Sequence, residues 1–114
     1  MQMIQIALRN NGYARSLRSA LARSGNWDVV CCDLPDEQRD GVLVLDTEAL
    51  QQLPKPLMHP ERVVLITRRD ADHLASAWEA GITSVVHDGD PPGTAVLAIM
   101  AASLRVRPAL LNHR

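Results

Sequence analysis

The chain has 114 residues, enough for one domain with a single core. Its formal net charge of −1 provides no whole-molecule field to draw it to nucleic acid or membrane. No apolar run approaches the ~20 residues of a membrane span. The N-terminus MQMIQIALR lacks the charged n-region and cleavage site of a secretory signal. The adjacent Cys31 and Cys32 read as reduced strand residues, which implies a cytoplasmic protein.

In chain order, Met3–Leu8 is a short β-capable run closed by the turn signal Asn10-Asn11-Gly12. The spacing of Tyr13, Ala14, Leu17, Ala20 and Leu21 predicts a helix over Tyr13–Arg23, with Arg15, Arg18 and Arg23 on its other face. Gly25 stops it. Trp27–Cys32 reads as the second strand, and Asp33–Gly41 is polar and too short for a well-formed helix. Val42–Leu45 is the third strand, ending in Asp46, and Thr47–Leu53 allows about two helical turns before Pro54 and Pro56. Arg62–Thr67 is the fourth strand. Asp70 caps a helix over Ala71–Ala80, with Gly81 as its stop. Ile82–Val86 is the fifth strand, and Thr94–Val106 the last helix.

Strands alternating with helices imply a parallel sheet covered on both faces. The continuous apolar runs of the third and fourth strands agree. The expected fold is α/β, a three-layer flavodoxin-like arrangement with strand order 2-1-3-4-5 and shortened second and third helices. Residues 1–106 form the domain and 107–114 a C-terminal tail. Such sheets hold their sites beyond the carboxyl ends of the strands, at the switch point between strands 1 and 3. Asp46 stands there, with Arg9 and Asn10 after strand 1, Thr67 and Arg68 after strand 4, and His87 and Asp88 after strand 5.

Four motifs carry a resemblance. VLVLD at 42–46, VVLIT at 63–67, the helix-turn-strand ASAWEAGITSVV with Glu79-Ala80-Gly81, and GDPP at 89–92 together resemble the receiver domain of bacterial response regulators, over nearly the whole chain. The resemblance implies a phospho-acceptor position at Asp46 and a switch hydroxyl at Thr67. It also implies an acidic pair after strand 1 for Mg²⁺ and a lysine after strand 5. The chain departs at both of the latter positions: Arg9 and Asn10 replace the acidic pair, and Asp88, with His87 beside it, replaces the lysine.

Phosphoryl transfer needs positive charge where the transferred oxygens crowd. A hard Mg²⁺ held by carboxylates normally supplies it. Without the acidic pair, Arg9 is expected to pair directly with Asp46 in place of the metal, and Asp46 to cap the helix that follows. Both expectations point away from efficient aspartyl phosphorylation and from any cofactor. The alternative is a phospho-accepting receiver using Asp46 with Mg²⁺. A weaker one is anion or nucleotide sensing at Arg9, with Arg68 and Arg69 nearby. No glycine-rich phosphate loop, nucleophile elbow or metal-ligand spacing points to an enzyme.

The last helix carries the strongest positive signal. TAVLAIMAAS, Thr94–Ser103, has no charged residue and therefore no ordinary solvent face. Leu97, Ala98, Met100, Ala101 and Ala102, joined by Trp78 as an aromatic anchor, are expected to form a homodimer or partner face. The tail RVRPALLNHR is basic but short and has no groove-reading element, so no nucleic-acid partner is expected.

Overall fold

The computed structural model describes residues 2–68 and 70–106. The elements are β1 (Gln2–Ala7), α1 (Asn11–Ser24), β2 (Trp27–Cys31), β3 (Val42–Leu45), α2 (Thr47–Gln52) and a 3₁₀ turn (Pro60–Arg62). β4 (Val63–Thr67), α3 (Ala71–Glu79), β5 (Ser84–His87) and α4 (Pro92–Ser103) follow. The five strands form one parallel sheet in the order β2-β1-β3-β4-β5. This is the expected flavodoxin-like topology. Arg69 and the tail at 107–114 lie outside the described residues.

Successive strand side chains point to opposite faces, and the sequence uses the two faces differently. Ile4, Ile6, Val42, Val44, Val64 and Ile66 point to the side covered by α1 and α4. Leu43, Leu45, Leu65 and Val63 point to the side covered by α2 and α3. β3 and β4 are buried along their whole length. Burying each such side chain contributes about 2 kcal/mol, so the central strands fix the register on which the site depends.

Two regions differ from expectation. The segment between β2 and β3 contains no helix, so the second helix is absent rather than merely shortened. Side chains from the sheet hold this segment instead. The Gln5 amide donates to the Asp36 carbonyl (3.0 Å) and accepts the Asp36 N–H (2.8 Å), replacing main-chain pairing with a side-chain clamp. The Arg62 guanidinium donates to the carbonyls of Glu37, Arg39 and Gly41. Arg62 is therefore not a strand residue but the end of the 3₁₀ turn, and only 5% of it is exposed. Gly41 closes the segment at φ +114°, where a Cβ would strike the Met3 carbonyl, so no other residue fits there.

The second region is the fifth strand. It starts at Ser84 rather than Ile82, because Ile82 is buried under α3 with its N–H on the Ala77 carbonyl (3.0 Å). The six-residue α2 is too short to be stable alone. Asp46 caps its start, and Lys55 Nζ donates to the carbonyls of Leu50 (2.6 Å) and Leu53 (2.9 Å) at its end.

Candidate functional site

Beyond the carboxyl ends of β1, β3 and β4 lies a cavity of about 290 Å³. It is lined by Arg9, Asn10, Asp46, Thr67 and Asp88, together with Leu8, Tyr13, Thr47, Glu48, Ile66, Arg68 and His73. Of the seven positions expected at the switch point, six thus meet in one place, and His87 is not among the residues that line it. They get there because β1 and β3 end side by side, Ala7 beside Leu45, while β4 runs two residues past Leu65, the partner of Leu45, to end at Thr67.

The Asp46 carboxylate has both oxygens engaged by main chain. Oδ1 accepts the N–H of Ala49 (2.9 Å), capping α2, and Oδ2 accepts the N–H of Arg9 (2.7 Å). The expected ion pair with the Arg9 guanidinium is not formed: none of the ion pairs among the described residues joins Arg9 to Asp46. The reason is local. β1 ends at Ala7, and the chain turns at once into α1, so the Arg9 amide faces the carboxylate while the residue itself is exposed. Asn10 is committed to the same turn, its Oδ1 accepting the Tyr13 N–H (3.0 Å) as the cap of α1.

Thr67 is buried, and its hydroxyl shares a 3.0 Å hydrogen bond with that of Thr47. The Asp88 N–H donates to the Thr67 carbonyl (2.9 Å), which fixes a carboxylate on the cavity wall. Burial raises the Tyr13 phenol above its ordinary pKa, and the carboxylates of Asp90 and Asp88 add to the effect. Among the described residues neither its hydroxyl nor the buried Nδ1 of His87 has a hydrogen-bond partner. At the start of α3, Asp70 caps the helix through the His73 N–H (2.9 Å) and also meets His73 Nδ1 (2.7 Å). The main-chain bond first, then the side-chain one, hold the Asp70 carboxyl below its ordinary value.

Sequence reasoning did not place Tyr13, Thr47, Glu48 or His73 at the cavity. For Thr47 and Glu48 the signal was their position directly after Asp46. For Tyr13 it was the cap spacing from Asn10. His73 owes its place to the capped start of α3, which carried no chemical motif.

The residues expected at a partner face are elsewhere, on α3 and α4. Trp78 (59%), Leu97 (68%), Met100 (40%) and Leu104 (80%) are exposed, and Ala101 is exposed beside them. Ala102 is a correction: it is fully buried against the sheet with Ile99. Ala98 is half-buried on the same core. The free surface of α4 is therefore the stripe of Leu97, Met100, Ala101 and Leu104. No helix among the described residues is long and apolar enough to cross a membrane.

No family model matches the sequence, and no curated protein matches it. Among solved structures the chain is similar to the crystal structure of FixJ-N. The two share 18% identity over 95% of this chain and 98% of that one, with a TM-score of 0.67. The chain has the CheY-like flavodoxin fold. The match spans both chains almost end to end, although the segment before β3 carries no helix here.

Proposed function

We propose that this chain is a receiver-type signalling domain that works as a protein–protein interaction module, without Mg²⁺-dependent phosphorylation of Asp46. The engagement of both Asp46 oxygens carries this reading. A phospho-acceptor has to offer a carboxylate oxygen as nucleophile, with a cation beside it to take up charge. Here one oxygen holds the start of α2 and the other holds the turn after β1. The positions that would hold a metal are Arg9 and Asn10, one contributing its amide to Asp46 and the other capping α1. Asp88 adds negative charge to the cavity wall where a phosphoryl group would need a cation.

The interaction surface is the apolar stripe of α4 with Trp78, and its partner is a second copy or another protein. Apolar side chains exposed this far along one helix stripe are what a contact would cover, and Trp78 offers an exposed aromatic on α3. The resemblance to FixJ-N in fold supports a signalling role.

Incubation with a small phosphodonor and Mg²⁺, followed by intact-mass analysis, tests the reading. The expected result is unmodified protein. Stoichiometric addition of phosphate that disappears in Asp46→Asn would instead establish the alternative, a phospho-accepting receiver. That alternative draws its support from Asp46 and the Thr67 hydroxyl sharing one cavity.

A further inference from the structure

α1 carries Arg15, Arg18 and Arg23 and not one acidic residue. Arg15 and Arg23 border an open groove of about 460 Å³ between α1 and the start of α4. Ser16, Ser19 and Ala20 complete the α1 side, with Pro92 and Gly93 opposite. Residues 15, 19 and 23 repeat every four positions, so they form one stripe along the helix.

The groove differs in charge from the rest of the molecule. Four other cavities each include at least one carboxylate, among them the one beyond the strand ends, with Asp46, Glu48 and Asp88. This groove has two guanidinium groups and none. Both arginines are exposed, and neither takes part in an ion pair among the described residues. A chain of net charge −1 thus keeps two cations along one groove, neither paired with a carboxylate among the described residues.

We infer that this groove binds an oligophosphate, two or more linked phosphoryl groups, whether free or as the tail of a nucleotide. The lining side chains are rich in donors: two guanidinium forks and two serine hydroxyls. Phosphoryl oxygens are acceptors only, and arginine forks match their geometry. Arg15 and Arg23 are two turns apart, about 12 Å along the axis, a spacing that a linked phosphate chain matches better than one compact phosphate. Ala20 and Gly93 leave room for it, since a Cβ built on Gly93 meets nothing within 4 Å. This assignment is independent of the chemistry at Asp46. It also moves anion recognition away from Arg9, whose cavity holds three carboxylates.

Titration of the intact chain with tripolyphosphate at low salt, followed by amide NMR, tests the inference. Saturable shifts are expected at Ser16, Ser19 and Gly93, weakening steeply as salt rises. The double variant Arg15→Ala/Arg23→Ala is expected to weaken binding at least ~10-fold, the loss of two charge-assisted contacts. Arg18→Ala, outside the groove, should change it little. ATP is expected to compete if a nucleotide tail fits, and its failure to compete would restrict the ligand to free oligophosphate. The inference is overturned by absence of binding at millimolar tripolyphosphate, by shifts centred on Arg9 and Arg68, or by unchanged affinity in the double variant. It is equally overturned if a glutamate peptide of equal charge binds as tightly.

Discussion

Asp46 and Arg62 stand at opposite ends of neighbouring strands, one just after β3 and the other just before β4. Both are charged side chains that spend their hydrogen bonds on main chain. Arg62 is buried and ties three carbonyls of a helix-free segment to the sheet. Burial pushes its guanidinium below the ordinary arginine value, and Glu37, Asp40, Glu61 and Asp36 oppose that shift. Asp46 is only half-buried and joins two turns that have other support. The contrast shows that a charged group at a strand end is not by itself a chemical centre. Its partners bear on what it does, and at both ends of this sheet they are main-chain groups, which on the proposed reading makes both roles architectural.

The comparison breaks first at Arg62. Arg62→Ala leaves three carbonyls of the 33–41 segment without their donor and is expected to cost about 4 kcal/mol, measured by urea unfolding. A loss under about 1 kcal/mol would mean that the segment is held by something else. Gln5→Leu, which removes both bonds to Asp36, should cost about 2 kcal/mol in the same assay. Asp46→Ala should cost about 1 kcal/mol, with Asp46→Asn recovering most of it because the amide oxygen still caps α2. If Asp46→Ala proved as damaging as Arg62→Ala, the two ends would be equally structural.

Ala101→Glu sharpens the picture on the free stripe of α4. It should leave unfolding within about 0.5 kcal/mol of the parent while light scattering changes from dimer to monomer. A parent chain that is monomeric at high concentration removes the homodimer. The smallest effect concerns Asp70. Its folded pKa is depressed, so its contribution to holding α3 is present above the ordinary value of 3.8 and is lost as pH falls through the folded value. NMR titration of its carboxyl should give a midpoint below 3.8, and Asp70→Asn should remove that acid-dependent step at the start of α3.

The two covered faces were legible because branched runs such as VLVL and VVLIT suit buried parallel strands, and the strand order was the favoured one of the few topologies that right-handed crossovers leave. The caps at Asp46 and Asp70 were legible from their place before a helical run. Periodicity could not show that Arg62 leaves the strand to clamp a distant loop, since its three acceptors are more than twenty residues away. Nor could it separate the Arg9 amide from the Arg9 guanidinium as the partner of Asp46. Spacing brings the residue to the carboxylate, and only the turn geometry decides which of its groups arrives. The same limit applies to Ala102. Small residues all round α4 leave its rotation undefined until Ile99 and Ala95 are seen to face the sheet.

The most direct measurement is a Mg²⁺ titration followed at the amide resonances of Arg9 and Ala49, the two donors to Asp46. If the carboxylate is committed to the main chain, both resonances stay in place through millimolar Mg²⁺. Saturable movement of both, abolished in Asp46→Asn, would show a metal displacing those bonds and would contradict the account.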